Sequence, residues 1–119
     1  MPARVLIVDD STYARARLKD MMESHGLAVV GEAANVVMAV ELYGKLKPDL
    51  VTLDMVMPDV NGIEAVKTLR QCDPRCRIVL ITAIRHGSGV EQAKELGITV
   101  VNKPVDWPEL EQAITQAMK

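Results

Sequence analysis

Asp9 and Asp10 close the apolar run "VLIVDD", Asp54 closes "LVTLD", Thr82 closes "IVLIT" and Lys103 follows "ITVVN". Each polar residue stands where a run of aliphatic side chains stops, at the end of a stretch that reads as a buried strand. Three carboxylates gathered in one place repel, so at least one pKa rises unless a cation sits among them. A hard divalent ion with oxygen ligands relieves that repulsion, and Mg²⁺ typically takes one or two carboxylates, several waters and a substrate phosphate. The chemistry that suits such a set is phosphoryl transfer, which depends on alignment and on stabilising charge.

Bringing these residues together requires a particular scaffold. Apolar runs recur at 5–8, 27–33, 50–53, 78–81 and 98–101, several of them Val- and Ile-rich without polar alternation, as in strands covered on both faces. Helical spacing lies between them. Ala14, Leu18, Met21 and Met22 mark a first helix stopped at Gly26. Asn35 caps a second, with Ala39, Leu42 and Leu46 before Pro48 ends it. Ile63, Val66 and Leu69 share one face of a third. Ser88 with Glu91, and Asp106 with Glu109, have the spacing of capping boxes that open a fourth and a fifth.

The pattern predicts an α/β fold, (βα)5: a doubly wound parallel sheet of five strands with helices on both faces, because parallel strands need right-handed crossovers. In such sheets ligands bind beyond the carboxyl ends of the strands, near the point where strand order reverses. Strand order 2-1-3-4-5 brings the acids of strands one and three side by side, with Thr82 and Lys103 next to them.

At 119 residues the chain is expected to form one domain over 1–119. Net charge is −2, and the scattered Lys and Arg provide no basic stripe for direct nucleic-acid binding. No apolar stretch approaches a membrane span and no signal-peptide pattern opens the chain, so a cytoplasmic location is expected. Cys72 and Cys76 lack neighbouring metal ligands and read as free thiols.

The blocks "VLIVDDS", "DMVMPDVNG", "ITA" and "NKP" resemble the signature of response regulator receiver domains of two-component systems, closest to the stand-alone chemotaxis type, and the likeness spans essentially the whole chain. That resemblance implies the flavodoxin-like order 2-1-3-4-5. It also implies that Asp54 accepts a phosphoryl group from the phosphohistidine of a sensor histidine kinase or phosphotransfer protein. Asp10, Asp54 and the backbone carbonyl of Val56 would ligate Mg²⁺ directly, and Asp9 would do so through water. Thr82 would donate its hydroxyl to a phosphoryl oxygen and Lys103 would neutralise another. The Lys103-Pro104 peptide would be cis, and the protein would catalyse only its own phosphorylation and dephosphorylation. A downstream target protein or output domain would read the face of helix four, strand five and helix five.

Two departures from that pattern stand out. The aromatic residue that receivers usually carry three positions before the lysine is Val100 here, which removes the usual coupling rotamer. Val56 and Ile84, two residues after Asp54 and Thr82, flank the approach of the hydrolysing water in the family and are both apolar. The alternative reading is a pseudo-receiver, the same fold acting as a phosphorylation-independent protein-binding module. A flavodoxin-like electron carrier shares the topology but would need a Ser/Thr/Gly-rich loop where "DDSTYARAR" supplies two acids.

Overall fold

The computed structural model describes residues 3–57 and 60–119. Strands β1 (Arg4–Val8), β2 (Ala28–Ala33), β3 (Leu50–Asp54), β4 (Ile78–Thr82) and β5 (Thr99–Asn102) alternate with helices α1 (Thr12–Ser24), α2 (Val36–Leu46), α3 (Gly62–Cys72), α4 (Ser88–Glu95) and α5 (Trp107–Ala117). The strands form one parallel sheet in the order β2-β1-β3-β4-β5. The predicted doubly wound architecture and strand order are both borne out. Among the described residues no helix is long and apolar enough to cross a membrane.

Strand alternation divides the core in two. Leu6, Val8, Leu53 and Leu80 pack against α2, α3 and α4, whereas Val5, Ile7, Val79 and Ile81 pack against α1 and α5. All five residues of β3 and all five of β4 are buried, which is why these two runs lack polar alternation. Each fully buried Leu or Ile stabilises the fold by about 1.5–3 kcal/mol relative to exposure. This double covering holds the ends of the central strands rigidly enough to carry a reactive group.

Helix starts follow side-chain chemistry in most places. Ser11, Asn35, Asn61 and Asp106 each accept the backbone N–H three residues on, satisfying a donor that the helix itself leaves unpaired. The Asp106 start was legible from its spacing to Glu109. The Ser88 start is corrected: Gly87 is the N-cap of α4, Ser88 is already helical, and no side-chain cap bond forms. Gly87 adopts φ +115°, open to glycine alone, so the chain turns into the helix one residue earlier and Glu91 N–H meets Gly87 O at 3.1 Å.

Two strand starts also fall one residue later than the apolar runs suggest. Leu27 and Ile98 donate their N–H groups back to Met22 O and Ala93 O, closing α1 and α4 respectively, so both residues belong to helix ends. At its far end β5 extends to Asn102, and Lys103 is the first residue beyond it.

Candidate active site

Strand register sets the site. Val8 pairs with Leu53, Asp54 with Ile81 and Thr82 with Asn102, so β1, β3, β4 and β5 end at one rim. Chain segments leaving that rim carry Asp9, Asp10, Asp54, Thr82 and Lys103, and all of the polar positions singled out in the sequence lie along it. One oxygen from each of Asp9, Asp10 and Asp54 lies within 4.8 Å of the others. Asp9 and Asp54 are buried while Asp10 is exposed, so the cluster is anchored inside and opens outward.

Each group is held by an identifiable contact. Asp9 donates its N–H to Ala33 O at 3.0 Å, and its Oδ1 accepts the N–H of Ser11 at 2.9 Å. Arg15 Nη1 donates to Asp9 O at 2.6 Å, while its Nε meets Glu32 at 3.2 Å; the guanidinium thereby ties the end of β1 to β2. Asp54 Oδ1 accepts the N–H of Val56 at 3.3 Å. Lys103 Nζ lies 3.6 Å from Asp9 Oδ2 and 3.7 Å from Asp54 Oδ2, a cation bridging two buried carboxylates. Thr82 is fully buried, and its Oγ1 accepts the N–H of Ile84 at 3.0 Å.

Burial raises the Asp54 pKa above the ordinary carboxylate value, and repulsion from Asp9 adds to the rise. Lys103 and the Val56 N–H oppose it, and Asp10 makes the smallest contribution. A carboxylate destabilised in this way gains from a nearby divalent cation, and three acids with oxygens this close form a donor set that fits a hard ion.

Behind Asp54, Met55 and Gly62 come into direct contact. Gly62 N–H donates to Met55 O at 2.7 Å, and a Cβ on Gly62 would fall 2.6 Å from Met55 Cα, so only glycine permits this approach. Gly62 makes this close approach without a positive φ. Met57-Pro58 within "DMVMPDVNG" reads in the sequence as a sharp turn, and Pro58 and Asp59 lie outside the described residues. The Lys103-Pro104 peptide is cis, as the resemblance implied.

Two residues of the site went unnoticed in the sequence. Arg15 was legible in principle, because its position in the first turns of α1 sets it beside the end of β1. Asn102 gave its own signal, an amide at the last position of β5 directly after Val100 and Val101. Its Nδ2 donates to Thr82 O at 3.3 Å and to Ile84 O at 3.2 Å. Tyr43 and Asp73, joined at 2.7 Å, lie away from this rim and serve packing near the other end of β3. Cys72 and Cys76 are free thiols, one exposed and one buried.

The sequence model of the response regulator receiver domain matches residues 5–115. The chain is 39% identical over 120 aligned positions to the chemotaxis protein CheY of Thermotoga maritima, covering 100% of both chains. Among solved structures it is similar to a LuxR-family two-component response regulator from Aurantimonas, with 36% identity and a TM-score of 0.90, covering 99% of this chain and 86% of that one. It is also similar to the CheY of Borrelia burgdorferi in a CheX-CheY-BeF3-Mg complex, with 30% identity and a TM-score of 0.91, covering 100% and 91%. These relatives offer no support for the pseudo-receiver alternative. The chain belongs to the response regulator receiver domain family, the phosphoacceptor modules of two-component signalling.

Proposed function

We propose that Asp54 is the phosphoacceptor and that Asp9, Asp10, Asp54 and the carbonyl of Val56 hold Mg²⁺, with Thr82 and Lys103 completing the phosphoryl site. The observation that carries this reading is the bridging of buried Asp9 and Asp54 by Lys103, with Asp10 alongside. A carboxylate oxygen of Asp54 attacks the phosphorus of a phosphohistidine. The new P–O bond makes an aspartyl phosphate, the P–N bond breaks, and the departing imidazole takes up a proton. Bound Mg²⁺ supplies positive charge against the developing negative charge on the phosphoryl oxygens. Lys103 meets one phosphoryl oxygen through its ammonium, and the Thr82 hydroxyl donates to another.

The donor is a sensor histidine kinase or a phosphotransfer protein, which places the reaction in the cytoplasm. The phosphorylated state alters binding to a downstream target protein or output domain. The protein acts on no separate substrate and catalyses only the gain and loss of its own phosphoryl group. The Borrelia relative, solved with BeF3 and Mg, supports the metal and the phosphoryl position by similarity. Incubation with Mg²⁺ and acetyl phosphate, followed by intact mass measurement, tests the assignment. The parent chain is expected to gain one phosphoryl group, and Asp54→Asn none; equal labelling of both would remove Asp54 from the role.

A further inference from the structure

We propose that Asn102 is a positioning residue for phosphoryl transfer, acting through Thr82; this deepens the phosphoacceptor reading and rests on it. Asn102 ends the edge strand β5, in register with Thr82 at the end of β4. A side-chain amide nitrogen carries two hydrogens. Here both have partners, Thr82 O at 3.3 Å and Ile84 O at 3.2 Å. Both backbone polar groups of Ile84 are therefore held: its carbonyl accepts from Asn102, and its N–H donates to Thr82 Oγ1 at 3.0 Å.

Apart from this clip, Ala83 to Ser88 is an exposed stretch, and α4 follows its N-cap Gly87 with no side-chain cap bond. The backbone of Thr82 is separately pinned, because Lys103 N–H donates to Thr82 O at 2.9 Å. What Asn102 adds is control of Ile84. A hydroxyl has one proton to donate and two lone pairs. With Ile84 N–H occupying a lone pair, the Thr82 proton stays available for an acceptor on the neighbouring strand side, where Asp54 pairs with Ile81 one residue earlier. If the loop loses its clip, Ile84 N–H leaves Thr82 Oγ1, and the hydroxyl must be oriented during the reaction itself. That alignment cost falls on the transfer step. No proton leaves Thr82; the hydroxyl only donates a hydrogen bond.

Val100 sharpens the consequence. No aromatic ring on β5 is present to couple to the Thr82 loop, and the Asn102 amide makes the side-chain link between β5 and that loop.

The test compares phosphorylation rates with acetyl phosphate and Mg²⁺ in four chains: parent, Asn102→Ala, Thr82→Ala and the double variant. Amide exchange at Ile84 and the Mg²⁺-induced melting shift are followed in parallel. Asn102→Ala is expected to slow phosphorylation about fivefold to tenfold and to speed Ile84 exchange, with the Mg²⁺ shift unchanged. In the Thr82→Ala background the same change is expected to have no further effect on rate. Asn102→Asp, which cannot donate to either carbonyl, is expected to match or exceed the loss in Asn102→Ala. A parent rate in Asn102→Ala, or an undiminished effect of that change without the Thr82 hydroxyl, overturns the positioning role. Absence of phosphorylation in the parent itself would instead overturn the phosphoacceptor reading beneath it.

Discussion

The ammonium of Lys103 lies 3.7 Å from Asp54 Oδ2, although the two residues are 49 apart in the chain (103 minus 54). The same nitrogen stands 3.6 Å from Asp9. Removing it leaves two buried carboxylates facing each other. Lys103→Met is expected to lower stability in chelator by on the order of 1 kcal/mol, since the lysine is partly exposed and solvent screens the pair. Its phosphorylation rate should fall on the order of 100-fold, as for loss of a preorganised charge-stabilising donor. Urea titration and acetyl phosphate labelling measure the two effects separately.

Burial and then Asp9 both disfavour the charged form of Asp54. In chelator, Asp54→Asn is therefore expected to be more stable than the parent by about 1 kcal/mol. The exposed Asp10 contributes the least repulsion, so Asp10→Asn should gain less. Added Mg²⁺ should raise the melting temperature of the parent more than that of either variant, because binding to the native state stabilises by mass action. Equal Mg²⁺ responses in all three chains would contradict the metal centre.

Val56 and Ile84 are 58% and 45% exposed at the mouth of the site, and neither side chain offers a hydrogen bond to an incoming water. The phosphoryl group on the parent is expected to be long-lived in Mg²⁺ without a phosphatase. Val56→Asn, which can orient water, should shorten the lifetime roughly tenfold. Decay of the phosphorylated mass after removal of the donor provides the comparison, and rapid loss from the parent would count against the idea.

Far from the site, burial raises the Tyr43 pKa above its ordinary value and the bond to Asp73 reinforces the shift, while burial pushes the Cys76 thiol up to about 11. Both groups are favoured neutral in the fold. Their contribution is complete below the unfolded values and is lost as the unfolded chain ionises, from about pH 9 through pH 11 for the thiol and above pH 10 for the phenol. Urea midpoints at about pH 8 and about pH 10.5 should show the loss, with a shallower fall in Tyr43→Phe.

Thr52, in the middle of β3 between Ile7 and Val79, buries a hydroxyl that has no hydrogen-bond partner among the described residues. Replacing it by the near-isosteric valine removes an unpaired polar group. Thr52→Val is expected to stabilise the protein by about 1–2 kcal/mol in urea unfolding. A destabilised variant would mean that the hydroxyl is satisfied in solution.

Local chemistry accounts for how much of this molecule was legible in advance. β3 and β4 were readable because strands covered on both faces admit few polar residues, and Asp54 and Thr82 therefore marked their own ends. Asn35, Asp106 and Pro48 announced helix limits through bonds or clashes with residues three or four away. The α4 start was misread because Ser88 and Glu91 fit a capping box, yet the positive φ of Gly87 decides where that helix begins.

By itself the sequence determined the alternation of strands and helices, and with it the rim on which Asp9, Asp10, Asp54, Thr82 and Lys103 lie, because hydrophobic periodicity and parallel crossovers leave little choice of topology. Tertiary structure alone decided which acids are buried, that Lys103 spans Asp9 and Asp54, that Arg15 reaches Glu32 on β2, and that Asn102 reaches across to Ile84. These outcomes depend on side-chain distances between segments remote in the chain. No spacing within one segment encodes such distances.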